Sequence, residues 1–294
     1  MTLFSAYSPV KSGGSRRRAA AAALCAGALA LIAGCSTGST SSTGPGNNSS
    51  QPTGSAVQET PQKAISLAAE ESRQINTMAA NFSERVGNPV VATTSATTQL
   101  QLRPVLLANE SLHSSANGQN VSVDEIVSAK AVYIKESSSQ SSRPWVEVPF
   151  SELGGSLGSS ISTLLQDAQN GNPAQQTEVL TASKNVHVVG TQVVNGVKTT
   201  HYSGTVSAAT ALSKLPANVR KGLAPLLKLI TGDIRFDVWI DAQHVTRKLI
   251  ERETVEGEPA TVTLNVTSVN QPVRITPPPA NEVRILPASQ LGNL

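Results

Sequence analysis

The sequence contains few cysteines and few aromatic residues. Only two of its 294 residues are cysteines, and phenylalanine, tryptophan and tyrosine together make up 3% of the chain. A platform of aromatic rings for stacking carbohydrates is therefore not expected. The core must be built from valine, leucine, isoleucine and alanine. We find no internal repeat in the sequence.

Acidic residues are missing from the first 34 positions, where Lys11 and Arg16 to Arg18 supply four positive charges. An uncharged segment follows from Ala19 to Ala33, with Gly34 after it. A basic segment, a short apolar run and small residues are the three parts of a secretory signal. The apolar run of about 15 residues is shorter than a membrane-spanning helix requires. We therefore predict that residues 1–34 are a signal peptide.

The residues Ile32 to Cys35 resemble the lipobox of bacterial lipoproteins. In that motif the cysteine thiol receives a diacylglyceryl group before cleavage, and the new N-terminus is then often acylated, for example with palmitate. Cys25 would leave with the signal, so the mature chain would hold Cys35 alone and no internal disulfide. We predict that Cys35 is lipidated and that the protein is exported and anchored at the outer face of the cell membrane. Export by the Sec or the twin-arginine route stays open.

The charge and composition of the mature chain set further limits. Removing the four basic residues of the signal lowers the net charge from +3 to −1. No nucleic-acid surface is therefore expected. Residues 35–60 are rich in serine, threonine and glycine, which predicts a flexible linker. Residues 61–283 are predicted to form one domain, and residues 284–294 a loose tail.

Three segments are predicted to be helical. Thr60 and Pro61 are a favourable helix start, with threonine as the N-cap and proline in the first turn. Residues 159–169 predict a second helix, and residues 207–230 a third that Pro216 and Pro225 divide or kink. The first helix is expected to carry its apolar stripe, at spacings of three and four, through Ile65, Ala68, Ser72, Ile75, Ala79 and Phe82.

Alternating segments predict antiparallel strands. Asn195-Gly196 is typical of a two-residue type I′ hairpin, because both residues tolerate positive φ. The segment DIRFDVWIDAQ has one apolar face; Asp233, Asp237, Asp241 and Trp239 are expected on a solvated outer face. Strands joined by hairpins, with a few helices between them, give an α+β fold. Helices rich in alanine and glycine cover a wide sheet poorly, so either the sheet curls tightly around them or an apolar space remains.

The sequence offers no convincing catalytic or metal site. His113, His187, His201 and His244 have no partner at metal-ligand spacing. G-x-S-x-G, H-E-x-x-H and phosphate-binding glycine motifs are absent from the sequence. Along one strand, aspartates four residues apart are about 13 Å from each other, too far to share a calcium ion. We therefore expect no enzyme activity, no metal and no cofactor.

Several motifs together resemble a known family. In order they are WVEVPFSELG, VVGTQVVNGVKTTHYSGTV, the proline-divided leucine helix, DVWIDAQHVTRK and TVTLNVTSVNQPVRITPPPA. With the lipobox and linker before them, they resemble the actinobacterial lipoproteins of the LppX/LprA/LprF/LprG group. The resemblance covers about residues 61 to 283. The sequence departs from the group at His244, where a small residue is usual, and in its Ser/Thr-rich early strands, which leaves the ligand open.

The resemblance implies a LolA/LolB-like fold, in which a curved antiparallel sheet forms an incomplete half-barrel and amphipathic helices cover an apolar cavity. It also implies a carrier of acylated lipids or glycolipids between envelope layers. The family has no catalytic residues to transfer. From alternation, the predicted cavity wall consists of Leu100, Leu102, Leu212, Leu215, Val219, Leu223, Leu226, Leu227, Ile234, Phe236, Val238, Ile240, Val262, Leu264 and Val266.

Two other functions are considered. A protein of the same fold could act as a lipid sensor or interaction module that signals to a protein partner, whose identity the sequence leaves unknown. A solute-binding lipoprotein of an ABC transporter would instead need alternating strands and helices that form parallel sheets. The Asn195-Gly196 hairpin and the consecutive strands speak against the second alternative.

Overall fold

The structure is a computed structural model that describes residues 59–136, 139–152, 177, 179–214 and 229–285. Its helices are α1 (Pro61–Ser72) and α2 (Ala208–Lys214), with short 3-10 turns at Phe150–Glu152 and Ala280–Glu282. Its strands are β1 (Thr77–Val86), β2 (Ala92–Gln101), β3 (Leu107–Ala116), β4 (Gln119–Val127), β5 (Ala131–Glu136), β6 (Trp145–Pro149), β7 (His187–Val194), β8 (Val197–Ser207), β9 (Ile230–Asp241), β10 (Thr246–Val255), β11 (Glu258–Val269) and β12 (Val283–Ile285).

The twelve strands form one open, curved sheet in the order β12-β6-β5-β4-β3-β2-β1-β11-β10-β9-β8-β7. Every neighbouring pair is antiparallel except β12 and β6, which are parallel. The predicted antiparallel sheet is therefore confirmed. The described residues contain more strand and less helix than expected. The covering of a cavity by amphipathic helices stays a prediction.

Tight turns with positive φ set the register of three hairpins. Asn195 and Gly196 have φ of 50° and 78°, which confirms the predicted type I′ turn between β7 and β8. Asn117-Gly118 and Glu256-Gly257 also have positive φ at both turn residues and join β3 to β4 and β10 to β11. A two-residue turn of this kind has the twist of the strands it connects.

The first helix begins as predicted but ends early. The hydroxyl of Thr60 accepts a hydrogen bond from the backbone N–H of Lys63, and Pro61 opens the helix. The helix ends at Ser72, and the residues predicted as its second half form β1 instead. The prediction that Ile75, Ala79 and Phe82 belong to this helix was wrong. Ile75 lies in the connection after the helix, and the segment from Thr77 has alternating burial and pairs with β2 and β11 along its length.

One face of the sheet, which we call the inner face, carries the main core. It bears Phe82, Leu264, Leu249 and Val238, which lie side by side on β1, β11, β10 and β9. The apolar side of α1 packs into this core through Ala64, Ile65 and Ala68. On β8, Gly204 lies opposite Phe236, and a Cβ at Gly204 would come 2.6 Å from the ring. Only glycine leaves room for this ring.

The outer side of β8 to β10 is more buried than predicted. Trp239 is 6% exposed and Asp241 4%, so the expectation of a solvated face was wrong at these two positions. The Trp239 ring stacks on His201 with 4.2 Å between ring centroids, and its Nε1 donates to Gln192 Oε1 over 2.6 Å. The sequence could not show this, because the cover comes from neighbouring strands.

The C-terminal part of the described chain returns to the sheet. After three prolines, Val283–Ile285 pair with Trp145 to Glu147 of β6. Arg284 and Ile285 thus belong to a strand, so the boundary of the predicted loose tail lies two residues too early. Several predicted segments lie outside the described residues: the signal, most of the linker with Cys35, residues 159–169, residues 215–228 and residues 286–294.

Gly196→Val should destabilise the fold by about 1–3 kcal/mol, because a β-branched residue at positive φ is strained. A Cβ at this position meets no atom within 4 Å, so the effect would come from the backbone alone. Gly190→Val is the matched control, since Gly190 lies on β7 with equally open space and no positive φ. Thermal unfolding measures both variants. Equal melting temperatures for the two would contradict the assignment of the turn.

Candidate functional site

The residues of the predicted cavity wall fall into three groups. Most of those on strands lie together in the main core, where they contact α1 and one another, and Val262 is half-buried on the same face. Leu212 lies in α2. Leu215, Val219, Leu223, Leu226 and Leu227 lie outside the described residues. The strand members in the core are Leu100, Ile234, Phe236, Val238, Ile240, Leu264 and Val266, and Leu102, directly after β2, joins them. Their role as a lipid-binding wall stays a prediction.

The middle of the inner face has small side chains. Strand β2 presents Ala92, Thr94, Ala96 and Thr98 on this side, and all four are buried. Phe82 lies opposite Ala96 and is also buried, yet neither residue joins the packed clusters of the described chain. This region therefore differs from the end of the face under α1, where the side chains are large and in mutual contact.

The inner face also carries carboxyl groups that sequence reasoning missed. Glu84 on β1 and Glu251 on β10 lie in one row, because both are register partners of Val262 on β11. Glu253 follows on β10 opposite Ala260, one step further along the same face. These glutamates occupy positions where the alternation of the strand calls for an apolar residue. The sequence pattern therefore does not show that they lie on the inner face.

Glu84 is the most enclosed of these residues. Its side chain is 1% exposed, and neither carboxylate oxygen has a hydrogen-bond partner among the described residues. Burial, together with repulsion from Glu253, raises the pKa of Glu84 to about 8. The same two causes raise the pKa of Glu251 to about 8, and burial raises that of Glu253 to about 7. Glu84 and Glu251 are therefore largely protonated at neutral pH, and Glu253 is about half protonated.

A second carboxyl pair lies further across the face. Glu110 on β3 is directly opposite Glu125 on β4 and accepts a hydrogen bond from the Thr98 hydroxyl over 3.3 Å. Burial, with repulsion from Glu110, raises the pKa of Glu125 to about 7. The pKa of Glu110 is also raised, chiefly by burial. This pair has a partner hydroxyl, which distinguishes it from Glu84.

The basic residues near Glu84 are engaged elsewhere. Arg85 alternates with Glu84 and is exposed on the outer side, and Lys248 lies 4.8 Å from the centre of the Trp239 ring. Arg252 donates to Asp237 Oδ2 over 2.5 Å, while His201 Nε2 lies 2.8 Å from the other oxygen. Burial alone would raise the pKa of Asp237, but these hydrogen bonds outweigh it and lower that pKa.

The described residues contain neither a metal-binding cluster nor a membrane-spanning helix. No group of three histidine, cysteine, aspartate or glutamate side chains in this part of the chain is placed to hold a metal ion. Among the helices described, none has the length and apolar character needed to span a membrane. Across the hairpin of β7 and β8, His201 lies opposite Gly190, whereas His187 lies opposite Ser203 and is exposed.

Comparison with known sequences gave two partial matches. The chain is 32% identical over 127 residues to an uncharacterized 31.2 kDa protein of Streptomyces griseus, covering 42% of this chain and 40% of the relative. It is 25% identical over 138 residues to a putative lipoprotein of Streptomyces coelicolor, covering 47% and 41%. The chain thus spans about two fifths of the length of these relatives. No protein-family model matches it.

The fold is an open curved sheet with a helix on its inner face. One similar solved structure is LprF of Mycobacterium bovis, with a TM-score of 0.48 and 17% identity; the match covers 74% of this chain and 96% of that one. Another is LppX of Mycobacterium tuberculosis, with a TM-score of 0.45 and 18% identity; the match covers 74% of this chain and 98% of that one. A LolA superfamily protein of Nitrosomonas europaea is also similar, with a TM-score of 0.25 and 10% identity; the match covers 74% of this chain and 96% of that one. LprF and LppX, which belong to the group that the sequence resembles, are thus among the similar structures.

The raised pKa values predict that stability falls as the pH rises. Between the ordinary glutamate pKa and about 8, the folded protein keeps protons that the unfolded chain has lost, so the free energy of unfolding decreases with pH. We expect a melting temperature several degrees higher at pH 5.5 than at pH 8. Glu84→Gln should flatten this dependence. Glu70→Gln, at an exposed position on α1, should leave it unchanged, and equal slopes for both variants would contradict the assignment.

Proposed function

We propose that this chain is a membrane-anchored lipoprotein that binds an acylated lipid or glycolipid on the inner face of its sheet and carries it between envelope layers. The proposal includes no catalytic activity. The observation that supports it is the chemistry of the inner face, which carries a large apolar core along β9, β10 and β11 and small buried side chains along β2.

The approximate dimensions of the sheet can be compared with those of helices α1 and α2. Strands are spaced by about 4.8 Å, so twelve of them span about 50 Å across the sheet. Helix α1 has 12 residues and is therefore about 18 Å long and about 10 Å wide, and α2 has 7 residues. Leu180, in a helical segment of the described chain, also packs into the core on this face. Phe82 and Ala96 are buried on the same face, and in the proposed carrier an alkyl chain would contact apolar groups of this kind.

The energy available from such contacts is large enough for a carrier. Burying a methylene group contributes about 0.8 kcal/mol, so a chain of about 16 carbons gains about 13 kcal/mol before ordering is counted. An empty dry cavity would cost about 24 cal/mol per Å³, which at several hundred Å³ approaches the stability of a whole domain. Lipid and protein would therefore stabilise each other.

The N-terminal sequence supplies the proposed anchor. Cys35 follows the basic and apolar leader, and 24 residues lie between it and Thr60, the N-cap of α1. A flexible linker of that length has a mean span of about 25–30 Å and reaches roughly 85 Å when extended. The sheet could then approach the membrane surface while tethered. The similarity to a putative lipoprotein of Streptomyces coelicolor supports this anchor.

Ala96→Trp tests the lipid-binding face directly. In a packed core the indole would overfill the space and cost about 1–3 kcal/mol. In a lipid-binding space it would take ligand volume, so bound lipid should fall while the melting temperature stays close to wild type. Ser95→Trp, on the exposed side of the same strand, is the matched control. Extraction and mass spectrometry of copurified lipid, with a melting scan, measure both. Strong destabilisation by Ala96→Trp, with no lipid on the wild type, would rule out the proposal.

Cys35→Ala tests the anchor. We expect unprocessed precursor or a released form, because stable anchoring needs two or more acyl chains and this variant would receive none at that position. Detergent partitioning and the mass of the mature N-terminus measure the effect. Cys25→Ala is the control and should be processed normally. Processing and partitioning of Cys35→Ala like the wild type would contradict the lipobox assignment.

A further inference from the structure

The carboxyl groups of Glu84, Glu251 and Glu253 face the same space. Glu84 and Glu251 are separated by one strand, β11, which places their backbones about 10 Å apart across the sheet. Val262 lies between them, and Glu253 is close enough to Glu84 to raise its pKa by repulsion. Glu84 forms the buried end of this row, whereas Glu251 and Glu253 are half-buried at its other end.

The row lacks the partner that a buried carboxyl ordinarily has. Glu84 is 1% exposed, and both its oxygens are without a hydrogen bond in the described part of the chain. An enclosed polar group of this kind is unfavourable unless something satisfies it. Strands β2 and β11 contain no lysine or arginine, and on β1 and β10 Arg85, Lys248 and Arg252 lie on the opposite side. Arg247, the remaining base of β10, donates to Asp241.

We propose that Glu84, Glu251 and Glu253 form a subsite for the positively charged amine of an amphiphile, whose alkyl chain lies on the adjoining apolar part of the inner face. This inference rests on the proposed function and specifies the ligand chemistry of the same face. Apolar side chains flank the row on both sides, with Phe82 and Leu264 towards α1 and Val86 and Ala260 towards the other end.

The charge requirement follows from the three carboxyls. An opposite charge within about 4–6 Å favours the ionised form of a carboxyl, and an ammonium group has three N–H donors. At pH 7, ionising a carboxyl whose pKa is about 8 reduces binding by only about a factor of ten. Coulomb attraction between the ammonium and the carboxylate in a water-poor site acts against that penalty. A carboxylate headgroup gains no such attraction and is repelled by whichever member of the row is ionised, such as Glu253.

Three probes with the same dodecyl chain and different headgroups test the subsite: dodecylammonium, 1-dodecanol and dodecanoate. They are titrated below their micelle concentrations into the chain from residue 35 onward, carrying Cys35→Ala so that no anchor is attached. Binding is followed by calorimetry at pH 7. We expect the ammonium to bind at least tenfold more tightly than the alcohol and the carboxylate to bind most weakly.

Variants separate the subsite from the apolar surface. Glu84→Gln and Glu251→Gln should each weaken ammonium binding about tenfold and leave alcohol binding unchanged. Glu125→Gln is the matched control, because it removes a carboxyl of raised pKa at a distant place on the same face, and it should change neither. Glu251 is half-buried, so its variant keeps the test available if Glu84→Gln does not fold.

The outcomes distinguish the two proposals. Equal binding of the ammonium and the alcohol, unaffected by either variant, would overturn the cationic subsite and leave lipid binding intact. A preference for dodecanoate would also overturn it. Failure of every probe to bind would overturn the subsite together with the proposed function.

Discussion

A sheet without disulfides has to bury one of its faces, and most of this structure follows from that requirement. The described residues contain no cysteine, so the fold depends on its ladder of backbone hydrogen bonds and on apolar contact across the inner face. Alternation along each strand places every second side chain on that face. Helix α1 covers the end that bears large side chains, and the small side chains of β2 lie beyond its reach. The size of the side chains on the inner face thus follows directly from the alternation along each strand.

The strands could be predicted from the sequence wherever apolar and polar residues alternate strictly or a turn has a characteristic residue pair. Strand β9 has Ile234, Phe236, Val238 and Ile240 on one face, and Asn195-Gly196 fixes the hairpin before it. The sequence was insufficient for β1, where Glu84 stands among apolar residues and Ala79 and Phe82 also fit a helical spacing. Strands β3 and β4 were missed for a related reason, since Glu110, Ser114 and Glu125 are directed inward. The polar residues that concealed these strands are those that give the inner face its unusual chemistry.

Tertiary cover could not be inferred from any single strand. Trp239 and Asp237 alternate with apolar residues and look solvated in the sequence, but neighbouring strands enclose them. His201 bridges them by stacking on one and hydrogen-bonding the other, and Arg252 completes the group. The outer face therefore neutralises its acids with local bases. Asp237 on the outer face has hydrogen-bond partners, and its pKa is lowered. Glu84 on the inner face has none among the described residues, and its pKa is raised. The presence or absence of a partner, and not burial alone, therefore explains the opposite pKa shifts.

An unpaired carboxyl beneath an apolar face weakens a fold that has no disulfide to compensate. A leucine at position 84 would extend the row of Phe82 and Val86 and would be expected to stabilise the sheet, since burying such a side chain contributes about 1.5–3 kcal/mol. Glu84 instead is favoured either in its protonated form or in contact with a positive charge. Glu251, two strands away, has a raised pKa for the same reasons. Local violations of packing rules concentrate where a protein uses the group concerned. On that reasoning the carboxyl row, more than the surrounding apolar surface, distinguishes the inner face of this sheet, and it is the part of the face on which the proposed ligand specificity depends.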